Sequence, residues 1–381
     1  MRSWLPLVRA LRGRGVAALL ASSLLLGLAL GTVTRPLCCR AQSGVEAAEA
    51  VTPAQLLQEA YQLSEQAETI DQYDQVIAMC EAASDAPLSP KLAEYAQKLL
   101  SWSYNRRGEM YAHDGNSQRA FADFDAAVAL NPQRWQAWHN RGVSHALGGD
   151  YQAAIDDLTK SIELQPQYGN AYFNRAELLY ELGEFQRAVG DYDKAIELNP
   201  ADAAALNSRG HAYYRLGDLH RAVADYDRAI ELEANDAATY VNRGDAYILM
   251  GRFARAANDF NRALQLDPQL ARAYQSAAWL KATCPDSRFR NEAGALELAR
   301  KAQQLAGEQD YRYLDTLAAA HANAGRFDDA VKVQYEVIQL VPEDQADRFK
   351  ERLALYQAGQ PYRLGGGEHV ATQPRRLPQA R

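Results

Sequence analysis

Charged side chains of two kinds recur at a fixed spacing in the middle of the chain. Five arginines stand 34 residues apart, and an aspartate follows each of them 16 residues later. A guanidinium group binds a carboxylate or a phosphate through two parallel hydrogen bonds. The two columns therefore indicate either a stripe of anion-binding arginines or a ladder of internal ion pairs. The members are Arg107 and Asp123, Arg141 and Asp157, Arg175 and Asp191, Arg209 and Asp225, and Arg243 and Asp259.

The two columns also disappear together, which favours internal pairs. In the next two segments Ala277 and Leu317 replace the arginine, while Leu298 and Val333 replace the aspartate. We predict that each arginine pairs with the aspartate of its own segment. Pairing between consecutive segments is the alternative, but it would leave one arginine and one aspartate single. Because there is one aspartate for every arginine, the arginines are not expected to form a stripe that is free to bind other anions.

Other side chains with chemical potential show no arrangement typical of a catalytic or metal site. The seven histidines lack metal-ligand spacing, and His139 and His145, six residues apart, do not share a helix face. Cys80 and Cys284 form no CxxC pair, so we expect buried thiols. Glycine-rich phosphate loops, GxSxG and HExxH are absent from the sequence. We predict no catalytic residue, no cofactor, no metal and no enzymatic activity.

An uninterrupted 34-residue period positions the charged columns. Segments begin at residues 101, 135, 169, 203 and 237. Small residues at positions 8, 20 and 27 let two helices, A and B, approach closely, and a large residue at position 24 fills the space between them. Proline at position 32 ends helix B in most segments. Position 15 always holds glycine, which accepts the left-handed conformation at the end of helix A: Gly115, Gly149, Gly183, Gly217 and Gly251.

The period and these columns resemble the tetratricopeptide-repeat (TPR) family over residues 101–270. The resemblance implies an all-α fold, namely a TPR α-solenoid in which antiparallel helix pairs stack into a right-handed superhelix. It also implies a protein that binds other proteins or peptides. Each pair buries its apolar face by stacking on its neighbours.

The remaining chain is divided around this array. The inserted sequence CPDSRFRN and the ending LALYQAGQPYR look like the C-terminal end of exported bacterial TPR proteins. The predicted segments are 1–41, a signal peptide or membrane anchor; 42–52, a linker; 53–100, a degenerate helical repeat; 101–134, 135–168, 169–202, 203–236 and 237–270, TPRs; 271–310, a TPR-like unit with an inserted loop; 311–344, a TPR; 345–358, a capping helix; and 359–381, a disordered tail.

The leader has the pattern of an export signal. Residues 15–33 carry no charge, and four arginines precede them. Cleavage after Gly31 or Ala41 is one interpretation, and an uncleaved anchor is the other, because the apolar run is about long enough to span a bilayer. Both place the array outside the cytoplasm, in the periplasm or at the membrane. Membrane contact is predicted only through this segment.

The charge balance argues against a nucleic-acid partner. Residues 1–41 hold six arginines and no acid, so the rest of the chain has 35 basic against 48 acidic residues. Affinity for nucleic acid comes mainly from neutralising phosphates, which an acidic array does poorly. We therefore expect a protein or peptide partner.

The resemblance implies that helix A lines a concave groove through positions 2, 5, 9, 12 and 13. An extended or helical peptide with basic groups would fit its acids. Phe173, Tyr180 and Tyr214 are the predicted anchors, although the aromatic rings would alternatively only pad the groove or touch the next helix. The candidate lining is Phe173, Glu177, Tyr180, Glu181, Asn207, His211, Tyr214, Arg215, Val241, Asp245, Ile248 and Leu249.

These features predict a protein-interaction scaffold of the cell envelope that holds its partner in the concave groove. An accessory or holdase factor for the export or assembly of a client protein is an alternative. A self-associating structural component is a second alternative.

Overall fold

A computed structural model describes residues 51–307 and 310–365, and its regular elements there are all helical. The predicted leader and most of the predicted linker lie outside the described residues. The α-helices are α1 Pro53–Gln66, α2 Ile70–Ser84, α3 Pro90–His113, α4 Ser117–Leu130, α5 Trp135–Leu147, α6 Tyr151–Leu164, α7 Gly169–Glu181, α8 Phe185–Leu198, α9 Ala203–Arg215, α10 Leu219–Leu232, α11 Ala237–Leu249, α12 Phe253–Leu266, α13 Ala271–Thr283, α14 Glu292–Ala306, α15 Tyr311–Asn323, α16 Phe327–Leu340 and α17 Asp347–Gln357. No helix among these described residues is both long and apolar enough to cross a membrane.

The described residues divide into two compact units, with the boundary between Pro166 and Gln167. The first contains α1–α6, and the second contains α7–α17. Within each unit, helices that follow one another pack together as pairs, and each pair packs against the next. The predicted all-α solenoid of helix pairs is therefore confirmed for the described residues of each unit.

Short turns built on glycine reverse the chain inside each pair. Between α7 and α8, Gly183 has a φ of 81°, in the left-handed region. Its N–H donates to the carbonyl of Tyr180 at 3.0 Å, and the N–H of Glu184 donates to Leu179 at 2.8 Å. These bonds satisfy carbonyls that the end of α7 leaves without helical partners. A residue with a side chain would be strained at this position.

Close approach of the two helices explains the small residue at position 8. Gly108 lies against the ring of Phe124, and a methyl group added to it would come within 2.7 Å of that ring. Gly210 faces Tyr226 in the same way at 2.8 Å. Phe124 and Tyr226 are both fully buried between their helices. The small residue therefore makes room for the large one at position 24.

Residues 359–365 correct the predicted disordered tail, because they pack back onto the second unit. The Leu364 side chain is only 8% exposed, and its N–H donates to the carbonyl of Thr283 at 2.9 Å. The ring of Tyr362 lies 5.8 Å from that of Trp279. Composition predicts disorder from Gly365-Gly366-Gly367 and the prolines, but an aromatic and an aliphatic side chain just before them bury enough apolar area to hold the segment. Residues 366–381 lie outside the described part.

Candidate functional site

The structure brings each predicted arginine and aspartate together within their own repeat. In the second unit, Nε and Nη2 of Arg209 donate to the two carboxylate oxygens of Asp225 at 2.8 and 2.7 Å. The aspartates are buried, and the arginine side chains are 17–20% exposed. The same bidentate pair joins Arg107 to Asp123, Arg141 to Asp157, Arg175 to Asp191 and Arg243 to Asp259.

A second aspartate that the sequence interpretation missed completes the ladder. Nη1 of Arg209 donates to Asp193, which lies 16 residues earlier on helix B of the preceding repeat, at 2.8 Å. The hydrogen bonds to Asp225 are the main reason that the pKa of Arg209 is raised above its usual range. The signal was present in the sequence as an aspartate at position 25 in three of the five repeats, Asp125, Asp193 and Asp227. The other pairs of this kind are Arg141–Asp125 and Arg243–Asp227. Arg107 instead reaches Asp74, which lies 33 residues earlier.

Aromatic rings cover several of the same guanidinium groups. Arg141 lies over Trp138 at 4.8 Å, and Arg243 lies over Tyr240 at 5.5 Å. With two carboxylates and a ring around it, such an arginine has little capacity left for an external anion. The geometry therefore supports a structural ladder rather than an anion-binding stripe.

The three aromatic side chains predicted as anchors are buried in the second unit. Phe173, Tyr180 and Tyr214 are 8%, 6% and 9% exposed. The Tyr180 ring stacks on His211 of the next helix A at 5.2 Å, and Phe173 lies 6.0 Å from Tyr192. These contacts agree with rings that pad the groove and touch the next helix. Their role as binding anchors stays a prediction.

Three more candidate residues are buried and so are not accessible in the groove lining: Glu177, Val241 and Ile248. The Tyr192 hydroxyl donates to the Glu177 carboxylate at 2.5 Å, so this predicted groove acid serves an internal hydrogen bond. The repeat positions that the resemblance implies place these residues on helix A, but a repeat position does not measure how deeply the next helix covers a side chain.

Six of the candidate residues remain partly exposed. Arg215 packs over the ring of Phe185 at 4.5 Å. Asp245 accepts a hydrogen bond from Arg272 at 2.9 Å, and its burial raises the pKa of the carboxyl group, an effect that Arg272 opposes. These partly exposed residues are Glu181, Asn207, His211, Arg215, Asp245 and Leu249. The surface above the buried rings is therefore mainly polar.

Asparagine side chains link consecutive repeats beside the groove. Asn242 donates to Asn207 at 2.9 Å in the second unit, and Asn140 donates to Asn105 at 3.0 Å in the first. Both donors stand at position 6 of their repeats, so asparagine at this position bridges the repeat interface. They fix the spacing between neighbouring A helices.

The described residues contain no group of His, Cys, Asp or Glu side chains suited to holding a metal ion. Cys80 and Cys284 are free and buried. Burial raises the pKa of Cys80 to about 12, with a smaller contribution from Glu81. The thiol is thus protonated at neutral pH and is a poor nucleophile there.

Family models match the middle of the chain. A model described as TPR repeat matches residues 176–217 and 210–251. Two models described as tetratricopeptide repeat match residues 135–168 and 237–270, and residues 158–190. Together they span 135–270 without a gap. No curated protein matches the chain.

Several solved structures are similar to parts of the chain. PilF of Pseudomonas aeruginosa is 16% identical with a TM-score of 0.50, and the match covers 58% of this chain and 98% of that one. YrrB, a TPR protein with an unusual peptide-binding site, is 21% identical with a TM-score of 0.42, covering 45% and 88%. MamA 41-end from Desulfovibrio magneticus RS-1 is 19% identical with a TM-score of 0.42, covering 45% and 96%. At these identities the likeness concerns the fold alone.

Proposed function

Because the chain is a tetratricopeptide-repeat protein, we propose that it is a protein-interaction scaffold that binds a peptide or protein along the A helices of its second unit. One observation carries this proposal. Partly exposed side chains recur at the same repeat positions on consecutive A helices, namely Glu181, Arg215 and Leu249 at position 13, and His211 and Asp245 at position 9. Side chains placed on rigid helices in register form a regular surface for an extended partner.

Rigid support beneath these residues strengthens the proposal. His211 rests on the Tyr180 ring at 5.2 Å and lies 6.1 Å from Tyr214, and Arg215 rests on Phe185. A side chain that is already held in place loses less conformational entropy when a partner binds. The predicted aromatic anchors thus act here as the floor of the groove, and the groups above them contact the partner.

The chemistry of this surface suits a mixed polar and apolar peptide. Glu181 and Asp245 provide acids, Arg215 provides a base and Leu249 provides an apolar contact. A partner segment with basic groups separated by an apolar side chain would complement this order. The acidic balance of the chain outside its leader supports the same choice.

The cell envelope is the proposed location, supported by the uncharged run at residues 15–33 behind four arginines. A holdase for an exported client and a self-associating structural component remain the alternative functions. Both use binding rather than catalysis, so they differ only in what occupies the surface.

The test is crosslinking and purification of the C-terminally tagged protein from its native envelope fraction, beside a groove variant, His211→Ala/Arg215→Ala/Leu249→Ala. These positions are partly exposed, so truncation opens no cavity of the kind that Phe173→Ala or Tyr180→Ala would create. The matched control is Lys194→Ala/Arg228→Ala on helix B, where both side chains are more than half exposed.

We expect one partner to be lost with the groove variant and retained with the helix B control. Recovery of the same proteins with both variants would contradict the groove proposal. Many unrelated unfolded chains would indicate a holdase instead. A sedimentation coefficient that rises with protein concentration would indicate self-association.

A further inference from the structure

A polar cavity of about 540 Å³ lies beside the inserted loop of the second unit. Three separate parts of the chain form it: the loop that precedes α14, the end of α15, and the C-terminal segment after α17. Its polar lining consists of Ser287, Arg290, Asn291, Glu292, Asn323 and Arg363. None of these residues belongs to the groove described above.

Two arginines line the cavity. In each of them, one guanidinium nitrogen donates to backbone carbonyls. Nη1 of Arg290 donates to the carbonyls of Cys284 and Pro285 at 2.8 and 2.9 Å. Nη1 of Arg363 donates to the carbonyl of Ala282 at 2.7 Å. Carbonyl oxygens orient a guanidinium group without neutralising its charge. The other nitrogens of both groups keep their donor capacity for something else.

Neither arginine forms an ion pair with a carboxylate among residues 51–307 and 310–365. This distinguishes them from the ladder arginines, which all bind at least one aspartate. Burial, and next the charge of Arg290, lower the pKa of Arg363. Two guanidinium groups close enough to affect each other, neither of them in an ion pair within the described residues, are an arrangement that a bound anion stabilises.

Asn323 supplies an independent indication. It is 8% exposed, and its Nδ2 is buried without a hydrogen-bond partner in the described structure. A buried amide donor that has lost its bonds to water and gained none in the protein is destabilising. An anion oxygen in the cavity would accept this hydrogen bond and relieve the destabilisation.

The beginning of α14 adds a weaker attraction, and one acid opposes it. Asn291 caps this helix by accepting from the N–H of Gly294 at 2.7 Å, and the positive end of the helix dipole lies there. Glu292 also lines the cavity, and its exposed carboxylate repels an anion. Asp286 is engaged by Arg288 outside the cavity. Two arginines against one exposed acid leave the cavity positive.

We propose that this cavity binds a small oxyanion, a carboxylate or inorganic phosphate, between Arg290 and Arg363 with Asn323 as a third donor. This site goes beyond the scaffold function, because it uses the inserted loop and the C-terminal segment rather than the repeat surface. It also gives a role to the CPDSRFRN insertion, which has no counterpart in the other repeats.

The test is isothermal titration calorimetry of the full chain with sodium phosphate and, separately, sodium acetate. Sodium chloride at equal ionic strength serves as the reference for screening. We expect saturable binding of at least one probe. Phosphate binding without acetate binding identifies a phosphate site, and acetate binding identifies a carboxylate site. No saturable binding of either probe overturns the proposal.

Substitutions in the inserted loop test whether the anion binds in this cavity. We expect Arg290→Gln to weaken it at least tenfold, since a hydrogen-bonded charge is lost. The matched control Arg288→Gln removes an exposed arginine of the same loop and should bind as the parent does. Equal affinity of the parent, Arg290→Gln and Arg288→Gln would mean an adventitious ion only.

A third variant tests the buried amide. Asn323→Leu should weaken anion binding about two- to tenfold, the range expected for one neutral hydrogen bond. It should also stabilise the anion-free protein, because an unpaired donor is removed. Unchanged anion affinity in Asn323→Leu would overturn the assignment of Asn323 as a donor.

Discussion

Each arginine of the ladder holds helices A and B of its own repeat together, and most also reach the preceding repeat. Arg209 does both, through buried Asp225 and half-exposed Asp193. Breaking a buried pair leaves a charge without its partner, whereas an exposed pair contributes about 0–1 kcal/mol. The two aspartates should therefore differ widely in importance.

We expect Asp225→Ala to lower the free energy of unfolding by about 3 kcal/mol and Asp193→Ala to lower it by less than about 1 kcal/mol. Urea denaturation followed by circular dichroism measures both. Equal losses in the two variants would show that burial does not determine the strength of the ladder.

His139 makes stability depend on pH. It is 3% exposed, and burial lowers its pKa to about 4, with the hydrogen bond to Asn140 opposing the shift. An unfolded chain binds the proton near pH 6.5. Between pH 6.5 and 4 the unfolded state is protonated and the folded state is not. The stability present above pH 6.5 is therefore lost as the pH falls towards 4.

We expect His139→Asn to remove about 3 kcal/mol of this pH dependence. Asparagine already occupies the same repeat position at Asn105 and Asn207. Denaturation midpoints at pH 7 and pH 4.5 measure the effect, and exposed His113→Asn is the control. A pH dependence that is the same in His139→Asn and His113→Asn would argue against the role of His139.

At the scale of the helix pair, close contact depends on one small residue facing one large residue. Gly210 on α9 lies against the ring of Tyr226 on α10, and an added methyl group would also come within 3.2 Å of the carbonyl of Ala222. Backbone does not move aside as the end of a flexible side chain does. Gly190, inside α8, has nothing within 4 Å of the same methyl position.

The two glycines should respond to alanine with opposite signs. We expect Gly210→Ala to destabilise the protein by about 1–3 kcal/mol through overpacking. Gly190→Ala should stabilise it by about 0.5–1 kcal/mol, because alanine favours the helix. Thermal unfolding of both variants measures the difference. Stabilisation by Gly210→Ala would show that the pair can separate without cost.

At the scale of the whole second unit, the C-terminal segment closes the last repeats. After α17 the chain returns to α13, where Leu364 and Arg363 donate to the carbonyls of Thr283 and Ala282. Arg352 lies between the rings of Trp279 and Tyr362, at 4.9 and 4.7 Å. These contacts satisfy the end of α13 and cover its apolar side chains.

We expect deletion of residues 359–381 to lower the melting temperature by about 5 °C, from the lost burial of Tyr362 and Leu364. Deletion of 366–381 alone should have little effect, since it keeps these contacts. Amide hydrogen exchange at the end of α13 should rise only with the longer deletion. Identical melting temperatures of the two truncated chains would contradict this role.

The sequence by itself determined the repeat architecture and the partners within each repeat. Several features act within a single repeat: turn glycines, small residues at contact positions and prolines after helix B. They are therefore visible in the sequence as columns of the 34-residue period. The sequence also showed that the arginine and the aspartate are lost from the same repeats. This signal exists because the two residues pair within one helix pair.

Tertiary structure alone decided how deeply the candidate groove residues are buried, as for Tyr180 and Tyr214. It also decided that residues 359–365 pack on α13, and that Arg290, Arg363 and Asn323 line one cavity. Burial depends on how closely the next helix approaches, and the cavity joins residues up to 76 positions apart, from Ser287 to Arg363. A periodic pattern records which face of a helix is covered, whereas depth and distant contacts arise only when the helices stack.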